Sequence, residues 1–379
     1  MTGPVAGLAT TWFAIIGLLW TGYFVLEGFD FGVGVVAPFV AADDVDRRLC
    51  LNAIGPVWDG NEVWLLVAGG ATFAAFPAWY ATMFSGFYLA LFVILVALIV
   101  RGVAFEFRHR RSSARWRRAW DAAHVVGSAV PALLWGVAFT DLVAGLAIGP
   151  GPHYTGGFWG LVHPIALLGG VAGLVLFTLH GAVFLSLKTT GALRRRARRA
   201  AAVLAAPAAL LVAASVAWTA AHVAGTERPG TVAGAVPLVL AAVAVVGAGA
   251  GGALAARGME GRAFAATSVA VVALVGTAFT ALFPRVMVSS TSPGLSLTIW
   301  NTASAHQTLL VMTVVAAIFT PFVLAYQAWT YWVFRQRLVR PPEVRPEGSL
   351  ATGPTGSTGP ATRGGAGQQR AGGPALSPE

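Results

Sequence analysis

The sequence predicts an all-α integral membrane protein with nine transmembrane helices, N-terminus outside and C-terminus inside. Three observations lead there. The chain of 379 residues is 56% hydrophobic and only 11% charged, with a mean hydropathy of +0.72, whereas soluble domains are about 25% charged. Apolar runs recur from Leu8 to Phe334, many longer than the roughly 20 residues that cross a hydrocarbon core. The basic residues also alternate. Counting loops and their flanks, 20 fall on one side of the membrane and only Arg228 and Arg285 on the other, which sets the orientation by the positive-inside rule and favours an odd number of spans. That alternation also accounts for the net charge of +10, so lipid rather than nucleic acid is the expected surface partner.

The first span, Leu8 to Phe39, has no basic segment before it and is too long for a signal-peptide core, so it is retained. The second, Cys50 to Phe76, opens on "NAIGPVWDGNEVW", whose polarity requires it to face protein, cofactor or water rather than lipid. The third, Ala78 to Phe107, carries Arg101, and the fourth, Trp116 to Ile148, begins near Asp121; at the inner surface these two pair or snorkel. The fifth runs from Phe158 to Leu187. The sixth and seventh, Arg199 to Ala224 and Val232 to Ala256, are rich in small residues that permit close helix approach, and read as scaffold. The eighth, Arg262 to Val288, and the ninth, Leu297 to Phe334, complete the transmembrane domain of residues 1–340. Residues 341–379 are rich in Gly, Pro, Ser and Thr and are expected to be a disordered cytoplasmic tail.

Four of the chain's 15 acids lie in the first two spans: Glu27, Asp30, Asp59 and Glu62. A carboxylate at mid-bilayer costs at least about 2.5 kcal/mol, so each is a candidate functional group. Positions three apart share a helix face, which puts Glu27 beside Asp30 and Asp59 beside Glu62. Folding the two spans antiparallel about "AADDVDRR" brings Asp30 level with Asp59, and Glu27 level with Glu62, about one turn further out. Four carboxylates so close cannot all be ionised, the condition a proton relay uses. Trp58 and Asn61 flank the relay. The same acids suit a proton-coupled secondary transporter.

Other chemistry is sparse. Cys50 is the only cysteine, which excludes an intrachain disulfide. The seven histidines are not spaced on one helix face as metal or haem ligands, and no zinc motif or phosphate loop is found, so no metal site is expected.

The blocks "GYFVLEGFDFGVG", "RRLCLNAIGPVWDGNEVWLLVAGGATFAAFPAWYATMFSGFYLAL", "RGVAFEFR" and "SSTSPGLSLTIWNTASAHQTL" resemble the signature segments of subunit II of cytochrome bd-type quinol oxidases, from about Leu8 to Arg335. The resemblance implies two four-helix bundles plus one extra helix, in a bacterial plasma membrane. It implies a heterodimer with a subunit I that carries haems b and d, and so no haem in this chain. It also implies a proton route from the cytoplasm through Asp59, with Asp30 as second candidate, and leaves room for small accessory subunits and a structural quinone. The Ala, Gly and Arg excess points to a GC-rich bacterial genome, which favours menaquinone over ubiquinone. The chain departs from the pattern at Asn301, where some relatives carry an acid.

Overall fold

A computed structural model describes residues 4–224 and 235–341. The expected tail, apart from Pro341, and the start of the seventh predicted span lie outside the described residues.

The first helix, α1 (Pro4–Val40), ends in the acidic turn that opens α2 (Asp44–Ile54), where the Asp43 side chain accepts a hydrogen bond from the Asp46 N–H and caps α2. The second predicted span is not continuous. Gly55–Pro56–Val57 interrupts it, because Pro56 has no N–H to donate back along the helix and Val57 leaves helical geometry at φ −126°, and α3 (Trp58–Ala75) starts afresh. The third predicted span divides too, into α4 (Pro77–Gly86) and α5 (Tyr88–Phe107). Next come α6 (Ala114–Ala144), α7 (Pro164–Lys188), α8 (Gly191–Ala224), α9 (Ala235–Ala256), α10 (Glu260–Leu282) and α11 (His306–Val333).

Helix ends differ from expectation where local chemistry stops or starts a turn. At Gly145, φ is +117°, which halts α6 four residues early. Phe283, preceding Pro284, is extended and ends α10. The following segment forms two short strands, β1 (Arg285–Met287) and β2 (Leu297–Thr298), before α11 begins. Among the described residues, eight helices are long and apolar enough to cross a membrane; α3, whose first turns carry "WDGNE", is not one of them.

Helix α1 is central and packs against α3, α6, α7 and α10, while α7 to α10 pack on one another in order. Its closest approach is to α7: a side chain at Gly32 would collide with the Phe177 carbonyl, and one at Gly181 with the Gly32 backbone.

After α11, residues 335–340 cross the helix ends as a strap. The Leu338 N–H donates to the Lys188 carbonyl at 2.7 Å, Thr190 Oγ1 donates to the Leu338 carbonyl at 3.1 Å, and Arg337 lies 3.7 Å from Glu260. Arg340 donates to Asp43 at 2.7 Å and to Asp46 at 3.1 Å. The hydrogen bond from Arg340 holds the Asp43 carboxyl below its usual range. A depressed folded-state pKa gives a contribution that is present above the unfolded value and lost as pH falls through the folded one. The strap should therefore loosen on acidification below about pH 4 and, since the pair is exposed, also in high salt. Faster hydrogen exchange of 335–340 at low pH is the expected result; exchange independent of pH, after correction for the intrinsic rate, would show the pair to be idle.

Candidate functional site

Glu27 and Asp30, one turn apart on α1, are completely buried. Glu27 pairs with Arg101 of α5, itself fully buried, whose guanidinium carbon lies 5.0 Å from the centre of the Phe31 ring. Asp30 Oδ2 accepts a hydrogen bond from Asn61 Nδ2 at 2.8 Å. The Asn61 amide is used on both sides. Its Nδ2 also donates to the Leu26 carbonyl at 3.4 Å, and its Oδ1 accepts from Tyr331 Oη at 2.8 Å and Gln327 Nε2 at 3.1 Å. Asn61 thus joins α1, α3 and α11. Trp58 stacks on Phe105, centroids 4.9 Å apart and planes 12° from parallel.

The centre is rich in polar atoms left over from these bonds. Tyr23 Oη, Glu27 Oε2, Asp30 Oδ1, and Arg101 Nε and Nη2 are buried without a hydrogen-bond partner among the described residues. Buried polar groups are nearly always bonded, to protein or to water, and Tyr23 has the Trp135 side chain within reach. The Glu27 and Asp30 carboxyls are also close enough to share a hydrogen.

Of the four acids expected together, Glu27, Asp30 and Glu62 lie within electrostatic reach around Arg101, while Asp59 stands apart from the buried pair. Asp59 is exposed on the outside of α3, and Glu62 is half-buried, near enough to Arg101 to feel its charge. The depth argument holds roughly, since Asn61 lies beside Asp30, but the facing does not. Residues two apart lie about 200° around a helix, so with Asn61 turned to α1, Asp59 is turned away. The break at Gly55–Val57 sets that phase.

Arg101 and Asp121 do not pair with each other either. Asp121 accepts from Arg108 Nε at 2.6 Å and from Arg47 at 3.0 Å, and Arg108 reaches on to Asp44 at 2.7 Å. Burial alone would raise the Asp44 pKa, but Arg108, Arg117 and Arg48 together outweigh it and lower it. Asn301 has a structural task, accepting from the Thr298 N–H at 2.7 Å and donating to the Ser296 carbonyl at 3.2 Å.

The site residues the sequence reading missed are Gln327 and Tyr331 on α11 and Tyr23 on α1. The signal for the first two was present: they lie four apart on one face of an otherwise apolar helix.

Two of the histidines are engaged within this chain. His180 is fully buried between Phe264 and Phe29, and its nitrogens are engaged with Thr267 Oγ1 at 2.7 Å and the Val25 carbonyl at 3.1 Å. His163 caps α7 through Nδ1 and meets Asp141 through Nε2 at 2.7 Å.

Membrane-length helices around a buried carboxylate–guanidinium centre define a polytopic membrane protein that keeps charge inside the bilayer. The chain belongs to the cytochrome bd terminal oxidase subunit II family, whose model matches residues 8–334. It is 38% identical over 334 residues to cytochrome bd ubiquinol oxidase subunit 2 of Bacillus subtilis, covering 88% of this chain and 98% of that protein. It is 36% identical over 358 residues to cytochrome bd-I ubiquinol oxidase subunit 2 of Escherichia coli K12, covering 87% and 94%. The fold is similar to a chain in the structure of bd oxidase from Geobacillus thermodenitrificans, with a TM-score of 0.69 at 16% identity over 86% of this chain and 98% of that one. The protein is therefore a subunit of a cytochrome bd quinol oxidase, an oxidoreductase complex, and a multi-pass protein of a bacterial plasma membrane.

Proposed function

We propose that this chain pairs with a haem-bearing subunit I and carries protons from the cytoplasm toward the oxygen-reducing site in that partner. The observation that carries the reading is the Glu27–Asp30–Arg101 centre. One guanidinium balances one carboxylate, so the pair is electroneutral in the membrane when it holds one proton between two acids. Passing a proton on moves the centre only one charge from neutrality, and an incoming proton restores it. The haems b and d, assigned to the partner, supply the electron chemistry that reduces oxygen to water. This chain's residues hold and pass protons.

Asp59 supports the pairing. It stands on an apolar face of α3 beside exposed Val63, Leu66 and Val67, where an uncovered carboxylate would cost about 2.5 kcal/mol or more in lipid. A polar partner surface relieves that cost, so the Asp59 side of α3 is read as the contact with subunit I. Glu62, between Arg101 and Asp59, then links the buried acids to the interface.

In this reading α3, about 27 Å long, is the ninth span once its polar start is covered. The bundles are α1, α3, α5, α6 and α7 to α10, with α11 the extra helix, and the N-out, C-in orientation follows from the basic loops. An apolar cavity of about 530 Å³ lined by Trp135, Phe139, Phe177, Val212, Thr219 and Leu274 suits a structural quinone, menaquinone in preference to ubiquinone. Small accessory subunits remain compatible with the uncovered face of α11.

Two measurements test this. The gently solubilised chain should co-purify with a partner showing b- and d-type haem bands in a reduced-minus-oxidised spectrum. In that complex Asp59→Asn should slow oxygen consumption by about tenfold with the bands intact. Unchanged turnover would make Asp59 structural, and loss of the bands would tie it to assembly instead.

A further inference from the structure

We infer that His124 and Ser128 on α6 form the cytoplasmic entry to the Glu27–Asp30–Arg101 centre, with His124 passing protons from the surface ion pairs to the buried acids. This rests on the proton-carrying reading above.

Helices α5 and α6 run antiparallel in one register: Arg108 bonds Asp121, the Phe105 ring lies 4.8 Å from the His124 ring, and Arg101 packs against Gly127, next to Ser128. Asp121, His124 and Ser128 follow at spacings of three and four, so they share one face of α6. Steps of about 4.5 and 6 Å separate them along the axis, each within the span of one bridging water.

The polar atoms along that face have bonds to spare. His124 and Ser128 are buried; Ser128 Oγ and Arg108 Nη1 have no hydrogen-bond partner among the described residues, and the His124 ring has only the Arg101 backbone within reach, which occupies at most one of its two nitrogens. A histidine serving only as core packing keeps both nitrogens engaged, as His180 does here with Thr267 and Val25. His124 has at most one engaged, by the Arg101 backbone. Gly34 of α1 provides the room: a side chain there would collide with Ser128 Oγ and stand 3.3 Å from His124 Nε2, so the two polar groups converge on a spot where α1 has only hydrogen.

The step is a proton exchange with no change in electrons. His124 accepts a proton on one ring nitrogen from water on the Arg108–Asp121 side and releases the proton on the other to Ser128 Oγ, which passes its own on toward the Glu27 and Asp30 carboxyls, while Arg101 stays protonated throughout. The ring is left as the other tautomer and resets by rotation. Ser128 both accepts and donates, as a hydroxyl can.

The experiment uses the assembled oxidase with His124→Leu, His124→Gln and, in parallel, Asp30→Asn, reading oxygen consumption in H₂O and D₂O alongside the haem spectrum. Expected is a fall of about tenfold for His124→Leu with a larger solvent isotope effect and unchanged haem bands. The fall should be smaller for His124→Gln, which still bonds water. If both His124 variants keep wild-type turnover and isotope effect while Asp30→Asn is slow, the entry is elsewhere and the inference fails alone. If Asp30→Asn is also unaffected, the proton-carrying reading fails with it. Should His124→Leu not assemble, His124→Gln decides, and wild-type turnover in it overturns the inference.

Discussion

Arg101→Met is expected to prevent accumulation of the assembled subunit. Arg101 and Glu27 are both fully buried and paired, and removing one member of such a pair costs about 3–5 kcal/mol because the other is left as a bare charge. That is a large part of the roughly 5–15 kcal/mol that holds a domain folded. The second variant should show where the cost comes from. Arg101→Met with Glu27→Leu removes both charges, and assembly should return while oxygen consumption stays low. Glu27→Gln alone should be milder than Arg101→Met, since Asp30 remains as a counter-charge for Arg101. Immunoblot level and melting temperature of the solubilised complex measure all three. Wild-type levels of Arg101→Met would mean that the buried pair contributes nothing to the fold.

Asp30→Asn is expected to separate turnover from assembly. The amide still offers an oxygen to Asn61 Nδ2, so the bond that joins α1 to α3 survives, and Asn61 keeps Gln327 and Tyr331 of α11. What is lost is the ability to hold a proton. Positioned proton transfer contributes about 10²–10⁴-fold, so oxygen consumption should fall by about tenfold or more with haem bands and thermal stability near wild type. A variant that is unstable as well as slow would mark Asp30 as a structural acid, and a fast one would remove it from the proton route.

Both results turn on pairings that reading the chain did not find. Glu27, Asp30 and the polarity of "WDGNE" stand out in sequence because insertion into lipid makes each of them costly. Their partners do not stand out. Arg101 lies two turns from the end of α5, and its length lets it reach inward to Glu27 as readily as toward the surface. His124 is one histidine among seven until Gly34 and Ser128 are brought against it.

The long apolar spans, the alternation of basic loops and the signature blocks are local or additive properties, so the sequence by itself determined the membrane fold and the family, and marked Glu27 and Asp30 as acids inside it. The tertiary structure decided which face each acid presents. A break of three residues, Gly55–Pro56–Val57, resets the helical phase of α3, and with 100° per residue that turns Asn61 inward to Asp30 and Asp59 outward. Phase across a break depends on how the two pieces pack, which no spacing along the chain records.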